Sequence, residues 1–212
     1  MQRSIAIAGI HTGVGKTLVS AILTRALQAD YWKPVQAGDL DNSDTITVRR
    51  YTGSGYTGTI HPEAHCLSQP LSPHVAAAID GITIDHTRLD WPQTGNLLLV
   101  ETAGGIHSPI SDTATMADFI THYRLPVILV VRHYLGSINH TLATIDVLRQ
   151  RNIPLLGIVV SGAPNAASEQ FITRYAHLEI GCHIPELELP DAGQVAIWAE
   201  ELKTSIQKML NV

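Results

Sequence analysis

A chain of 212 residues, 45% hydrophobic and 16% charged, can bury a substantial core, which excludes global disorder and fits one compact α/β domain, 1–212, better than two. Fourteen Lys and Arg against 19 Asp and Glu leave a net charge of −5 with no basic run (14 − 19), which argues against nucleic acid as a partner, because neutralising a phosphate backbone needs a basic face. Two cysteines, Cys66 and Cys182, match no zinc or redox spacing and imply a reducing compartment.

In chain order, residues 5–10 read as a buried strand. This apolar start is too short for a secretory leader, and no stretch approaches the roughly 20 apolar residues of a membrane span, so a soluble, cytoplasmic protein with no membrane partner is expected. Residues 15–29 carry Leu18, Ile22, Leu23 and Leu27 at helical spacing. A short strand over 31–35 and a helix over 42–51 follow, then a Gly-, Ser-, Thr- and Pro-rich loop over 52–73 and a helix over 74–80. Residues 96–101, 125–131 and 155–160 are the interior strands, separated by helices over 112–123 and 137–150. In the second of these helices Ile138, Leu142, Ile145 and Leu148 share a stripe. The tail reads as a helix over 168–177, a strand over 180–184 and a helix over 193–210 with an apolar face of Val195, Trp198, Leu202, Ile206 and Met209. Continuous apolar strands alternating with amphipathic helices predict a mostly parallel sheet with helices on both faces, whose ligands sit beyond the carboxyl ends of the strands.

Chemistry-bearing residues fall at those ends. Gly9-Ile10-His11-Thr12-Gly13-Val14-Gly15-Lys16-Thr17 links the first strand to the first helix. Small residues let backbone N–H groups converge on phosphate oxygens, and the positive end of the helix adds to them. Lys16 supplies a mobile charge for the β- and γ-phosphates, and the Thr17 hydroxyl suits magnesium. The spacing departs from the common phosphate-loop pattern: five residues, not four, separate Gly9 from Gly15, and Ile10 stands where a glycine is expected. The fold class expected is therefore α/β, single-domain and P-loop NTPase-like.

Glu101 ends the strand before Thr102-Ala103-Gly104-Gly105 and reads as a metal ligand, a water holder, or a solvent-exposed strand-end charge. Asp44 by spacing alone reads as a helix cap. Lys33, at the end of a short strand, suits stabilising a transferring phosphoryl group, holding an anionic substrate, or simple solvation. His61, His65 and Cys66 lack the second ligand pair of a zinc site, and Ser72, His74 and Asp112 lack a nucleophile-elbow motif.

Gly9-x5-Gly15-Lys16-Thr17, Lys33-Pro34-Val35, Asn42-Ser43-Asp44, Ser72-Pro73-His74, Val100-Glu101-x-Ala103-Gly104-Gly105, Pro109-x-Ser111-Asp112 and Leu135-Gly136-x-Ile138-Asn139-His140 occur in this order. The ordered set resembles the dethiobiotin synthetase family over nearly the whole chain. The resemblance implies ATP- and Mg2+-dependent carboxylation of 7,8-diaminopelargonic acid with CO2. A carbamate and then a carbamic–phosphoric anhydride form, and the ureido ring closes.

Carried over by position, Thr17, Asp44 and Glu101 would hold magnesium, and Lys16 and Lys33 would stabilise the carbamate and the transferring phosphate. Both lysines are expected to act on turnover rather than on fold stability. Thr12 would touch the diamine side of the loop. Gly13, Val14, Gly15, Lys16, Thr17, Leu18, Thr102, Ala103 and Gly104 would line the nucleotide phosphates. Ser161, Gly162, Pro185, Glu186 and Leu187 would form the base pocket. Ala37 would lie at the substrate. Family members are homodimers, and Gly136, Ser137, Ile138 and Asn139 of the second subunit would bind the substrate carboxylate. These residues open a helix, where backbone N–H groups favour an anion, although helix capping by Ser137 is the plainer reading of the segment alone.

Three positions depart from the family pattern: Gly13 replaces a frequent acidic residue, Ala37 a hydroxyl residue, and Ser161-Gly162 the adenine-reading Asn. Serine cannot present both a carbonyl and an amide to a base edge, so relaxed selectivity among nucleoside triphosphates is expected. The competing class is a partition-type ATPase switch. Its signature lysine would fall at His11.

Overall fold

The computed structural model describes residues 3–188 and 190–210. In chain order the elements are β1 (Ser4–Gly9), α1 (Lys16–Leu27), β2 (Asp30–Trp32), β3 (Val35–Ala37), α2 (Asp44–Thr52), β4 (His65–Leu67), α3 (Pro73–Ile79), β5 (Leu98–Gly105), β6 (Pro109–Ser111), β7 (Ala114–Thr115), α4 (Met116–His122), β8 (Val127–Val131), α5 (Ser137–Gln150), β9 (Leu155–Ser161), α6 (Ala166–Ala176), β10 (Ile180–Ile184) and α7 (Ala192–Leu210). Six strands form one sheet in the order β10-β9-β8-β1-β5-β2, and every neighbouring pair is parallel.

Burial explains the apolar runs. All five residues of β8 are buried, and Leu98, Leu99 and Val100 of β5 are at 0% exposure. Each such side chain contributes on the order of 1.5–3 kcal/mol. Both faces of a strand are covered in this way only when helices lie over the sheet. Helix α1 packs against α2 and α7, α5 packs against α6, and α7 also meets β9 and β10.

The chain leaves β1 for the edge strand β2, returns through β5 beside β1, then crosses to β8 and steps outward to β10. Connections diverge on either side of β1, and such a switch point opens a crevice at the carboxyl ends of the strands. The loop of residues 10–15 lies at that crevice.

Five sequence-based expectations are corrected. The strand expected over 31–35 is two: β2 ends at Trp32, and Pro34, which has no N–H to give a ladder, separates it from β3. β3 pairs instead with β4, a three-residue strand inside the expected loop 52–73 and too short to show alternation. The helix expected over 112–123 starts at Met116. A hairpin of β6 and β7 precedes it, and a capping box between Thr115 and Asp118 fixes the start. Helix α1 begins at Lys16, because Gly15 is left-handed at φ 91°. Helix α6 begins at Ala166, with Asn165 accepting from the Ser168 N–H at 3.0 Å.

Candidate active site

Gly9 ends β1, and a Cβ there would come within 2.8 Å of Val14 Cγ2. Gly13 and Gly15 have φ of 77° and 91°, conformations that L side chains rarely adopt. A Cβ on Gly15 would also collide with the Ser161 hydroxyl. Helix α1 has neither a side-chain cap nor an acidic residue in its first turn, so its first amides are left for an anion. The Lys16 ammonium folds back over the loop and donates to the His11 carbonyl at 3.3 Å.

Beside this loop two lysines, a threonine and two carboxylates converge. The Thr17 hydroxyl lies 2.7 Å from Asp44 Oδ1 and 3.1 Å from Glu101 Oε1. Lys33 Nζ donates to Asp44 Oδ2 and lies 3.5 Å from Glu101 Oε1. Three members are placed by element ends: Thr17 by the first turn of α1, Lys33 as the residue after β2, and Asp44 by the start of α2. Glu101 stands within β5, which runs on to Gly105. Ser43, not Asp44, caps α2 through the Ile46 N–H, so the Asp44 carboxylate is free to face the cluster. Glu101, Lys33 and Lys16 are 1%, 6% and 7% exposed.

Burial sets the two lysines apart. Desolvation lowers the Lys16 pKa to about 8, with Glu101 opposing and the Lys33 charge reinforcing the shift. Burial alone would lower Lys33 as well, but Glu101 and Asp44 outweigh it and hold its pKa above the ordinary lysine value. Burial works against ionised Asp44, yet the Lys33 ammonium and the Thr17 hydroxyl hold its carboxyl below the usual range.

The donors facing this point are hard oxygens: a hydroxyl and two carboxylates. Among the described residues no group of three or more His, Cys, Asp and Glu could hold a metal by itself. A partial shell of this kind fits magnesium, which keeps waters and phosphate oxygens as its remaining ligands, and does not fit a structural zinc.

The other expected residues fall in three places. Thr12, with His11, Gly105, Ser108 and His140, lines a cavity of about 530 Å³ between the loop, the end of β5 and α5. Thr102 is buried with its hydroxyl on the Ile7 carbonyl at 3.3 Å, and Gly104, at φ 64°, brings β5 close to Thr12. Ala37 ends β3 and is half-buried. Gly136, Ile138 and Asn139 line a separate cavity of about 710 Å³ that includes none of the lysine–carboxylate cluster. Gly136 is the left-handed N-cap of α5 (φ 101°), no side chain caps the helix, and Ser137 is its first residue, buried at 2% exposure. The capping reading of Ser137 is therefore not what forms.

Ser161 is 5% exposed and packs against Gly15, while Gly162 beside it is left-handed at φ 100°. Arg132, which follows β8, reaches across Gly162 to pair with Glu186. Sequence reasoning missed Arg132, because only tertiary structure brings the end of β8 to the loop after β10. It also missed Tyr31, whose hydroxyl donates to Glu101 Oε2 at 2.9 Å. Its place in an apolar strand marks it only as core.

Comparison with known proteins bears on what such a site does. The AAA domain family matches residues 3–193. The chain is 47% identical over 197 residues to the ATP-dependent dethiobiotin synthetase BioD of Cytophaga hutchinsonii, covering 92% of this chain and 95% of that protein. It is 45% identical to BioD of Chlamydia pneumoniae, covering 97% and 86%. Against the biotin biosynthesis bifunctional protein BioCD of Bordetella avium it is 42% identical over 95% of this chain but spans only 43% of that protein. Among solved structures, a putative plasmid partition protein of Borrelia burgdorferi bound to AMPPNP aligns with a TM-score of 0.58 at 11% identity, covering 100% of this chain and 99% of that one. The cell division ATPase MinD of Pyrococcus furiosus aligns with a TM-score of 0.53 at 15% identity, covering 96% and 99%. At those identities the likeness is one of fold alone.

Proposed function

This chain belongs to the ATP-dependent dethiobiotin synthetases, carbon–nitrogen cyclo-ligases of biotin biosynthesis, and from that premise we propose how its residues carry the reaction. The substrates are 7,8-diaminopelargonic acid, CO2 and ATP. One amine adds to CO2 and releases a proton, giving a carbamate. A carbamate oxygen attacks the γ-phosphorus and ADP leaves. The second amine attacks the carbonyl carbon of the mixed anhydride, phosphate leaves and the ring closes.

Little covalent chemistry falls to the protein, so positioning and charge carry the catalysis. The amides of residues 13–18 and the open end of α1 hold the β- and γ-phosphates, and Lys16 moves from the His11 carbonyl onto them. Lys33, kept protonated by Glu101 and Asp44, serves as a charge donor to the carbamate and the transferring phosphoryl group, and not as a base. Thr12 orients the diamine from its cavity beside the end of β5. Thr17, Asp44 and Glu101 would hold magnesium, which when bound neutralises phosphate oxygens. Ser161, Gly162 and residues 185–187 enclose the base.

The enzyme acts as a homodimer, with Gly136, Ser137, Ile138 and Asn139 of one copy binding the carboxylate of the diamine held by the other. Two observations support this. The first turn of α5 has no side-chain cap, and Leu135 just before it is fully exposed. No helix among the described residues is long and apolar enough to cross a membrane, which accords with a cytoplasmic location.

The observation that carries this reading is the buried cluster of Thr17, Lys33, Asp44 and Glu101 beside an anion-ready loop. The test is a coupled assay for dethiobiotin from diamine, bicarbonate and nucleotide. Product formation that requires all three is expected. ATP turnover stimulated by DNA or a protein, without diamine dependence, would sink the reading and favour a partition-type switch. That class shares the fold but would need a lysine where His11 stands.

A further inference from the structure

Strands β2 and β5 run in parallel register with Tyr31 opposite Leu99. The Tyr31 side chain therefore extends along β5 to the carboxylate two residues on. Its hydroxyl donates to Glu101 Oε2 at 2.9 Å, and the two residues are 0% and 1% exposed. The other oxygen, Oε1, faces the opposite way, 3.1 Å from Thr17 Oγ1 and 3.5 Å from Lys33 Nζ. One carboxylate oxygen is thus tied into the core and one is left for the crevice.

This division has a chemical consequence. Magnesium demands near-octahedral geometry and takes one oxygen from each carboxylate, whereas calcium takes six to eight oxygens and readily grips a carboxylate through both. A two-oxygen grip on Glu101 would make Oε2 share its charge between the cation and the Tyr31 hydroxyl, weakening a hydrogen bond that is buried away from water and has no solvent replacement. We propose that Tyr31 is a positioning residue that restricts Glu101 to one oxygen toward the cation and so sets the preference of the site for magnesium over calcium. The inference deepens the reading of Glu101 as a cation ligand and rests on it.

Tyr31→Phe removes the donor and keeps the ring. Mg2+ and Ca2+ are titrated calorimetrically into wild type and variant, each saturated with a non-hydrolysable ATP analogue. The expected result is a fall in Mg2+ affinity on the order of tenfold with a smaller fall, or a rise, for Ca2+, so that the Mg2+/Ca2+ ratio narrows. Leu99→Ala is the control: it opens the core opposite Tyr31 without touching the carboxylate, and should lower Tm while keeping the wild-type ratio. A Tyr31→Phe protein with lowered Tm and an unchanged ratio would show a purely structural tyrosine and overturn the inference, leaving Glu101 as a ligand. Absence of cation binding in wild type would remove the ligand reading and the inference together. Should Tyr31→Phe fail to fold, difluorotyrosine at position 31 keeps the shape and strengthens the donor. It should widen the ratio, and an unchanged ratio overturns the proposal equally.

Discussion

The two sides of the crevice are built on different physics. On the β5–β2 side, Lys33 and Glu101 are buried and share hydrogen bonds with Asp44 and Thr17. On the β9–β10 side the ion pair Arg132–Glu186 spans the gap with its side chains 40% and 58% exposed. Buried charges are rigid because every loss of a partner is costly, whereas an exposed pair contributes only about 0–1 kcal/mol. In the proposed reading, the phosphate chemistry falls to a preorganised cluster and the base to a side that yields at little cost.

The largest effects should come from the buried side. Lys16→Met and Lys33→Met should each lower kcat by about 10²–10³-fold in the dethiobiotin assay, as loss of a preorganised charge donor does. Their stabilities should then diverge. Lys33 touches both carboxylates, so its removal leaves buried negative charge uncompensated and should cost on the order of 3–5 kcal/mol in the nucleotide-free protein. Lys16 touches only the His11 carbonyl, and its buried charge is a burden on the fold at neutral pH, so Lys16→Met should be at least as stable as wild type. The sequence alone predicts that both lysines act on turnover rather than stability, and burial changes that expectation for Lys33 only. Denaturant titrations in which the two variants lose equal stability would break the contrast.

A smaller effect separates the lysines by pH. With a folded pKa of about 8 against 10.5 unfolded, the charge of Lys16 is a full burden on the fold below pH 8. Above pH 8 the folded state has released that proton while the unfolded chain retains it, so stability rises with pH. Burial lifts the Cys182 thiol from 9 to about 11, which acts in the opposite direction above pH 9. The clean window is therefore pH 8–9, read as wild type minus Lys16→Met. Wild type should gain about 1 kcal/mol on the variant across that unit, measured by denaturation at each pH. A flat difference would show Lys16 fully protonated throughout. Lys33, raised rather than lowered, contributes no slope there; its contribution is lost only above pH 10.5.

What the sequence disclosed follows the same division. Continuous apolar runs locate strands, and a strand end locates Gly9–Thr17, because a parallel sheet puts its chemistry there; the acid that breaks the apolar run 97–100 marks Glu101, although β5 continues past it to Gly105. Asp44 was legible only through family resemblance, since an acid at a helix start looks like a cap until Ser43 is seen to occupy that role. Tyr31 and Arg132 were not legible, because their partners lie 70 and 54 residues away and neither residue type is unusual at its place. The three residues of β4 gave no periodicity to read, yet they anchor β3 away from the main sheet and so let the chain turn at Lys33.

The smallest expected effects are on the β9–β10 side, where the proposed base pocket lies. Ser161 stands at the position of a base-reading amide, but its hydroxyl is buried against Gly15, and a hydroxyl there could offer a base edge only one donor. Gly162 adds no side chain, which leaves Arg132 and Glu186 as the charged side chains beside the proposed base pocket. Each can swing toward solvent or a base at little cost. CTP and GTP should therefore support measurable dethiobiotin formation. Glu186→Gln, which frees the Arg132 guanidinium, should alter kcat/KM for each nucleotide by less than about fivefold. It should help the keto bases more than adenine, since a guanidinium donates only and their exocyclic carbonyl oxygens accept, whereas adenine has none. A strong preference for ATP over all three other nucleotides, unchanged in Glu186→Gln, would mean that the base is gripped by backbone groups that neither Ser161 nor the ion pair reveals. The contrast between a rigid phosphate side and a permissive base side would then be wrong.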